Sequence, residues 1–440
     1  MVYLAVLAAF GALHWYVWCR AVRDTAPPGS VLRRIGSVIL VVGPLLTVAT
    51  LVAGRTEAPF RVEQILAWPG YLWLTVWMYL LLALLAGEAI RPLLLRWIAR
   101  RDTGEVEGEG TLEQGAEPVP VSESQSLTEA REASDAEAGT GARPVAAAEH
   151  PPAARAGAFS GAGPAAPSRR LFVARVVGGT AAAVAVGTVA NGAYGVLRGP
   201  KVKRVTVPLA KLPRSAHGFR IAVVSDIHLG PVLGRGFAQR VVDTINSTQP
   251  DLIAVVGDLV DGSVEDLGPA AAPLAQLRAR HGAFFVTGNH EYISGVEQWV
   301  ERVRELGLHP LENARTELPG FDLAGVDDVR GERVGKGPDF HKALGDRDRS
   351  RAAVLLAHQP VVIHDAVRHG VDLQLSGHTH GGQLWPVNYV AELANPTVAG
   401  LERYGDTQLY VSRGAGAWGP PVRVGAPSDI TVVELASRQA

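Results

Sequence analysis

Cysteine is almost missing from this chain of 440 residues, which has a single one, Cys19. One thiol forms no disulfide framework, and it supplies too few thiolates for a soft-metal or iron–sulfur site. Net charge is also nearly absent, since 42 Lys and Arg residues stand against 43 Asp and Glu residues. A chain with a net charge of −1 offers no electrostatic footprint for nucleic acid.

Long apolar runs, in contrast, are abundant near the N-terminus. Residues 2–18, 35–53 and 65–86 are almost wholly apolar. Each run approaches or reaches the ~20 residues that cross a bilayer, and three in tandem are untypical of a single buried core helix. The sequence therefore predicts three transmembrane helices within residues 1–101 and a multi-pass protein of the cell membrane.

Arginines predict the orientation of these helices. Four lie between the first two runs and four follow the third, whereas the loop between the second and third runs has only two. These are, in the same order, Arg20, Arg23, Arg33 and Arg34; Arg91, Arg96, Arg100 and Arg101; and Arg55 and Arg61. Because cytoplasmic loops are enriched in Arg and Lys, the N-terminus is expected outside and the segment after Arg101 in the cytoplasm.

Residues 102–168 have a different composition. They are first rich in Glu, Gly and Ser and then in Ala, Pro and Gly, with hardly an aromatic residue besides Phe159. Such a segment cannot bury enough apolar surface to offset the entropy of ordering it. We expect a disordered linker.

Residues 169–198 have two interpretations. Arg169 and Arg170, then Phe172, precede a mildly apolar run over residues 176–196, as in a twin-arginine export signal or a fourth transmembrane helix. Either one places the domain at residues 199–440 outside the cytoplasm. The basic residues Arg198, Lys201, Lys203 and Arg204 oppose this topology, unless they meet anionic lipid headgroups on the outer surface.

Five groups of polar residues in the C-terminal half each follow a short apolar run. The groups are Asp226-Ile227-His228, Gly257-Asp258, Gly288-Asn289-His290-Glu291, His358, and Gly377 to Gln383 with His378 and His380. The apolar runs are typical of strands buried on both faces, and stretches with helical spacing, such as 237–247 and 296–306, alternate with them. This pattern predicts an α/β layered fold with a site at the carboxyl edge of its strands.

The residue types in these groups favour metal binding. Two aspartates, one asparagine and four histidines offer oxygen and nitrogen ligands that suit Mn, Fe or Zn. Seven ligands are too many for one tetrahedral ion, but they fit two ions that share a carboxylate. Residues two apart on extended chain point the same way, so Asp226 with His228, and His378 with His380, can reach one centre.

The five groups, in this order, resemble the calcineurin-like metallophosphoesterase superfamily over about residues 203–436. They are similar in particular to its membrane-associated bacterial branch, which includes exported phosphodiesterases and UDP-2,3-diacylglucosamine hydrolases. The resemblance implies a layered β-sandwich flanked by helices and two divalent ions. Asp226, His228 and His380 would hold the first ion, Asn289, His358 and His378 the second, and Asp258 would bridge them. His290 would donate a proton to the leaving oxygen or stabilise the transition state.

The function expected from these features is hydrolysis of a phosphodiester or pyrophosphate bond, on a lipid-linked or cell-envelope substrate, by a membrane-tethered enzyme. One alternative is a non-catalytic receptor or scaffold with the same fold, although such a module is expected to lose ligands. Another is transport by the apolar helices, which their few charged residues disfavour. The Ala-, Arg- and Gly-rich composition is typical of a bacterium with a GC-rich genome.

Overall fold

The computed structural model describes residues 2–56, 58–109 and 169–439. Most of the predicted linker, residues 110–168, lies outside the described residues. Contacts divide the chain into one compact unit of residues 1–90 and 174–440 and a second unit of residues 91–173.

In the described residues, four α-helices precede the sheets: α1 (Val2–Trp18), α2 (Val31–Ala53), α3 (Phe60–Glu109) and α4 (Arg169–Leu197). Among the described residues, α2, α3 as far as Ile98, and α4 are long and apolar enough to cross a membrane. α1 has 17 residues, fewer than the ~20 that span the hydrocarbon core. α3 continues to Glu109 and therefore includes residues 102–109, the first eight residues of the predicted linker.

Close contacts join these helices within the first unit. The Thr47 hydroxyl of α2 donates to the carbonyl oxygen of Gly70 in α3 at 2.9 Å, and the Thr50 hydroxyl donates to that of Leu66 at 2.7 Å. Small residues and hydroxyls at helix interfaces let apolar helices approach closely. The opposite face of α2 exposes large apolar side chains, among them Val41 and Leu45, as expected of a surface that lipid covers.

After α4, the described residues form twelve strands in two six-stranded sheets. The strands are β1 (Lys201–Leu209), β2 (Phe219–Val224), β3 (Leu252–Val256), β4 (Ala283–Val286), β5 (His309–Pro310), β6 (Ala314–Leu318), β7 (Phe321–Gly325), β8 (Ala352–Leu356), β9 (Leu373–Ser376), β10 (Gly400–Tyr404), β11 (Thr407–Val411) and β12 (Asp429–Ser437). The sheet orders are β1-β12-β2-β3-β4-β5 and β10-β11-β9-β8-β7-β6.

The two sheets face each other across an apolar core. Ile221 and Val223 of β2 meet Val354 of β8 in this core, and all three are fully buried. Ala222 and Val224, which alternate with them, pack instead against helices on the other side of the first sheet. Because both faces of these strands are buried, they appear in the sequence as continuous apolar runs.

The α-helices that follow β1 in the described residues are α5 (Arg235–Ser247), α6 (Val264–Ala271), α7 (Asn289–Ser294), α8 (Val296–Glu305), α9 (Phe340–Leu344), α10 (Ile363–Arg368) and α11 (Asn388–Ala394). α5, α6 and α8 cover the outer face of the first sheet. α5 packs Phe237, Val241 and Ile245 against the first sheet, at the four-residue spacing of one helix face. The second sheet is covered in the same way by α9 and α10. The predicted α/β layered sandwich is confirmed.

Strand direction then decides where the polar groups lie. β2, β3 and β4 are mutually parallel in one sheet, and so are β8 and β9 in the other. The carboxyl ends of parallel strands meet at one edge of a sheet. All five polar groups follow these ends, so the fold brings them to the same edge of the sandwich.

Candidate metal centre

The backbone at this edge is strained at the predicted ligands. Asp226, His228, Asp258, His378 and His380 all have φ between 48° and 72°, a left-handed conformation that is uncommon for residues other than glycine. Strained backbone of this kind persists where the surrounding structure enforces it, and it concentrates at functional sites.

Two glycines let the strands converge. A Cβ atom at Gly377 would lie 1.8 Å from the Ser225 hydroxyl oxygen, and one at Gly288 would lie 2.3 Å from an Asp258 carboxylate oxygen. Neither position has room for a side chain. Glycine therefore allows the loops after β9 and β4 to pack directly on those after β2 and β3.

One cluster of ligand atoms comprises Asp226, His228 and His380, whose polar atoms all lie within 4.8 Å of one another. His380 Nε2 is 3.0 Å from His228 Nε2 and 3.3 Å from Asp226 Oδ1. All three side chains are buried. They are the three residues that the resemblance assigns to the first ion.

A second cluster comprises Asp258, His358 and His378, again within 4.8 Å. Asp258 Oδ2 lies 3.1 Å from His358 Nε2 and 3.8 Å from His228 Nε2. Its carboxylate thus stands between the two clusters, where a bridging ligand would be.

Buried polar atoms without hydrogen-bond partners show that this arrangement fits cations. His358 Nδ1 faces the Val256 carbonyl at 2.9 Å, so in the neutral ring the proton is on Nδ1 and Nε2 presents a lone pair. That Nε2 has no hydrogen-bond partner, although a carboxylate oxygen is 3.1 Å away. Asn289 Oδ1 is likewise buried without a partner. Buried groups of this kind are normally satisfied, and divalent cations would satisfy both.

When cations are absent, the buried carboxylates raise the pKa values of two histidines in the centre. Burial alone would lower the pKa of His228, but the carboxylates of Asp261, Asp258 and Asp226 raise it to about 9. Likewise, despite burial, Asp258 raises the pKa of His358 well above its usual value. Protons on these two rings then compensate the buried carboxylates.

The pKa values of His378 and His380 are lowered instead of raised. Burial and the neighbouring His358 lower the pKa of His378 to about 4. Burial and His228 lower the pKa of His380 well below its usual value. These two rings are therefore neutral at pH 7.

Metal binding is accordingly expected to release protons. His228 and His358 must lose theirs to become ligands, so about two protons per chain should leave at pH 7. Raising the pH removes these protons in advance, and the apparent affinity should rise by about two logarithmic units per pH unit near neutrality. Calorimetric titration with Mn²⁺ in buffers of different ionisation enthalpy counts the protons directly. Binding without proton release would contradict this charge distribution.

Three residues that the sequence analysis did not select as site residues hold the predicted ligands in place; Glu291 and Arg423 are buried, and Asp261 is partly buried. Asp261 Oδ1 lies 2.7 Å from Nδ1 of both His228 and His290. Glu291 accepts hydrogen bonds from the backbone N–H groups of Gly288, Asp258 and Leu259. Arg423 donates to the carbonyl oxygens of Gly416, His380 and Ala426. Asp261 with His228, Glu291 with Asp258, and Arg423 with His380 are each more than 30 residues apart, so local sequence gives little signal for these pairings.

Removing the Glu291 carboxylate is expected to destabilise the domain. Glu291→Ala would leave three buried N–H donors without an acceptor, at about 1 to 3 kcal/mol each. Partial entry of water limits the total to roughly 3 to 5 kcal/mol, which lowers the midpoint of thermal unfolding by about 10 °C for a domain of this size. Thermal unfolding of the detergent-solubilised chain measures this shift. Glu301→Ala, at an exposed ion pair on α8, is the matched control and should change little.

His290 lies at the mouth of the centre. Its ring is 4.8 Å from that of His228 and 5.7 Å, edge to face, from that of Trp418. Its side chain is 14% exposed, whereas that of His228 is fully buried. Despite burial, Asp261 raises the pKa of His290, which favours a protonated ring near neutral pH. This ring also lies within 4.8 Å of His228 and Asp258, close enough to be a ligand itself.

Comparisons with known proteins identify the family of this chain. The family model for the calcineurin-like phosphoesterases matches residues 219–382. The chain is 41% identical over 250 residues to the transmembrane protein with metallophosphoesterase domain of Danio rerio, which covers 54% of this chain and 57% of that one. It is 35% identical over 240 residues to an uncharacterized metallophosphoesterase of Aquifex aeolicus; the match covers 53% of this chain and 91% of the Aquifex protein. It is 30% identical over 287 residues to the uncharacterized metallophosphoesterase YkuE of Bacillus subtilis; the match covers 61% of this chain and 98% of YkuE. The match thus spans little more than half of the Danio protein.

Proposed function

The protein belongs to the calcineurin-like metallophosphoesterases, and on that premise we propose that it is a membrane-bound hydrolase of a phosphodiester or pyrophosphate bond. The observation that carries the proposal is the pair of ligand clusters with Asp258 between them. Bound there, two divalent cations of the Mn, Fe or Zn type would supply Lewis-acid activation of water and neutralise charge on a phosphoryl group.

Each residue has a role in this proposal. Asp226, His228 and His380 would hold one cation, Asn289, His358 and His378 would hold the other, and Asp258 would contribute to both. Carboxylates and imidazoles of this kind bind such cations well, while the neutral Asn289 leaves positive charge available to an anionic substrate.

As a water oxygen bonds to phosphorus and the bond from phosphorus to the leaving oxygen breaks, His290 supplies a proton to that leaving oxygen. Its Nδ1 pairs with Asp261 at 2.7 Å, so Nε2 is the ring nitrogen that remains to carry the transferable proton. Burial lowers the pKa of His290, but Asp261 more than offsets this effect and raises it, which favours the protonated ring that a general acid needs.

We also propose that the catalytic domain lies outside the cytoplasm. At one end of the helices, Arg20 pairs with Glu88 at 2.8 Å and Arg175 donates to the Thr25 carbonyl. The domain meets the other end, where Phe60 packs against the core of the first sheet. The arginine-rich end belongs on the cytoplasmic side by the positive-inside rule. Arg198 and Lys201, beyond the outer end of α4, then face lipid headgroups, and Arg169 and Arg170 serve as topology or export signals.

This location favours a lipid-linked or cell-envelope substrate, because a tethered site meets membrane-bound molecules at high effective concentration. The resemblance of the five polar groups to those of UDP-2,3-diacylglucosamine hydrolases, which is drawn from the sequence alone, is consistent with such a substrate class.

Hydrolysis of model esters by the full-length protein in nanodiscs tests the reaction class. With Mn²⁺ added, we expect turnover of bis-p-nitrophenyl phosphate and less of p-nitrophenyl phosphate. A preference for the monoester would replace the diesterase assignment. Two bound metals without turnover of any phosphate ester, lipid phosphodiesters included, would favour the alternative of a binding module.

A further inference from the structure

A pocket that contains none of the predicted metal ligands lies where α4 meets the catalytic domain. We call it the α4 pocket, and its volume is about 280 Å³. Asn191 and Tyr194 of α4 line one side, together with Arg198 just after the helix, and Arg423 and Ser428 line the other. Pockets for drug-sized ligands usually measure roughly 300 to 1,000 Å³, so this one suits a smaller chemical group.

Positive charge distinguishes the α4 pocket. Arg198, Lys201 and Arg423 all line it, whereas its described lining includes no aspartate or glutamate. In the part of the chain that the structure describes, Arg198 and Lys201 form no ion pair, and the Arg198 guanidinium lies over the Tyr194 ring at 5.7 Å. The C-terminal end of α4 carries partial negative charge, which three cationic side chains outweigh. An anion between these side chains would relieve their mutual repulsion.

A buried hydroxyl group in the same pocket lacks a hydrogen-bond partner. Ser428 is 5% exposed, and among the described residues its Oγ has no partner. The backbone there is held in place, because the Lys201 N–H donates to the Ser428 carbonyl oxygen at 3.2 Å. Buried hydroxyls are normally hydrogen-bonded. An acceptor oxygen on a ligand in the pocket would supply the missing partner.

Phosphate is the anion that best matches these three donors. A guanidinium can donate two parallel hydrogen bonds to phosphate oxygens, and an ammonium adds a compact positive charge. A phosphate monoester has three strong acceptor oxygens, so the Ser428 hydroxyl can bond one oxygen while the two cations contact the others. A carboxylate has only two oxygens for the same donors.

Arg423 joins the α4 pocket to the metal centre. Its guanidinium donates to the His380 carbonyl oxygen at 2.9 Å and lies 3.2 Å from His380 Nδ1. Its backbone N–H faces the Gly192 carbonyl oxygen of α4 at 3.4 Å. One residue therefore contacts the helix, the pocket and a predicted ligand. The α4 pocket is next to the metal centre, but it is separate from the seven predicted ligands.

From the unpaired cations and the unsatisfied hydroxyl we infer that the α4 pocket binds a phosphate group. Arg198 and Lys201 are its cationic contacts, and Ser428 is its neutral donor. The phosphate comes from a lipid headgroup or from soluble phosphate, which offer the same oxygens to these donors. The inference goes beyond the proposed hydrolysis and does not depend on it, because binding here needs neither metal cations nor turnover.

Calorimetric titration with inorganic phosphate tests the inference in metal-depleted, full-length protein. The protein is kept in a maltoside detergent, which contains no phosphate. We expect one phosphate to bind per chain. In the double variant Arg198→Gln with Lys201→Gln, the affinity should fall by roughly 100-fold, about tenfold for each charge-assisted hydrogen bond lost. The matched control, Arg333→Gln with Arg349→Gln, removes two exposed cations outside the pocket and should bind like the unmodified protein.

Ser428→Ala separates phosphate binding from folding. It should weaken phosphate binding by about fivefold, the effect of one neutral hydrogen bond. Thermal unfolding without phosphate should occur at the same temperature or a higher one, because the variant removes a buried donor that has no partner. If Ser428→Ala binds phosphate as the unmodified protein does, the pocket contact assigned to this hydroxyl is wrong.

The inference is overturned if the unmodified protein binds no phosphate, or if the Arg198 and Lys201 double variant binds it with unchanged affinity. Either result leaves the proposed hydrolase intact, because the seven predicted ligands lie outside the pocket. Competition then identifies the source of the phosphate. Displacement of inorganic phosphate by phosphatidic acid, but not by diacylglycerol with the same chains, assigns the pocket to a lipid headgroup. Phosphate binding that phosphatidic acid leaves unchanged assigns it to soluble phosphate.

Discussion

Asp258→Asn is expected to lower hydrolysis by roughly 10³-fold or more, because it removes the carboxylate between the two ligand clusters and with it several kcal/mol of transition-state stabilisation. Asp258 Oδ2 lies 3.1 Å from His358 Nε2 and 3.8 Å from His228 Nε2. An asparagine amide has the same shape but half the acceptor oxygens and no charge. The backbone nitrogen of His290 lies 2.9 Å from Asp258 Oδ1. The asparagine oxygen can still accept this backbone hydrogen bond, so the loop should keep its structure.

Three readouts separate this effect from misfolding. Bound metal should fall below two per chain, turnover should collapse, and circular dichroism should stay unchanged. Asp243→Asn, on the exposed face of α5 and outside both clusters, is the matched control and should keep full turnover. If the Asp258 variant retains normal turnover, Asp258 is not part of the reacting centre.

His290→Ala is expected to lower turnover by about 10² to 10⁴-fold for esters with alcohol leaving groups, the usual contribution of a general acid. For p-nitrophenyl esters the loss should be much smaller, because p-nitrophenolate leaves without a proton. Bound metal should remain at two per chain. Comparing the two classes of leaving group therefore measures proton donation separately from folding and metal binding.

Metal content decides between two roles for His290, since its ring is also near enough to His228 and Asp258 to be a ligand. Loss of a metal in the variant, with equal rate losses for both classes of leaving group, would make His290 a ligand and not an acid. His341→Ala, at an exposed histidine of α9, is the control and should match the unmodified protein in both assays.

Local sequence could predict the strands and the polar groups that follow them, for a physical reason. A strand buried on both faces is a continuous apolar run, and β2, β3 and β9 were visible as such. The positions of the polar groups followed from the shared carboxyl edge of parallel strands. The α/β sandwich expected from these features is confirmed, and the likeness to metallophosphoesterases agrees with the matched family.

Sheet order could not be predicted in this way. The last strand, β12, lies antiparallel to β2 and parallel to β1, with Thr431 opposite Val223 and Lys201 opposite Asp429. This placement depends on packing between residues about 200 positions apart. No local pattern encodes it.

The supporting residues of the site were missed for a similar reason. Glu291 belongs to one of the five polar groups and Asp261 follows another by three residues, but neither was assigned a role at the site, and Arg423 lies outside the groups; the role of each depends on partners on other loops. The contact between Tyr79 and Trp385, 306 residues apart, is another such case. Sequence alone predicted a tether and an enzyme, but it did not predict that α3 contacts the loop that follows the last predicted ligand.

The most direct test is turnover as a function of bound Mn²⁺ in the metal-depleted, full-length protein in nanodiscs, with bis-p-nitrophenyl phosphate as substrate. If two cations act together across Asp258, turnover should stay near background up to one Mn²⁺ per chain and rise between one and two. Full turnover at one Mn²⁺ per chain, or turnover that persists without metal, would contradict a two-cation centre.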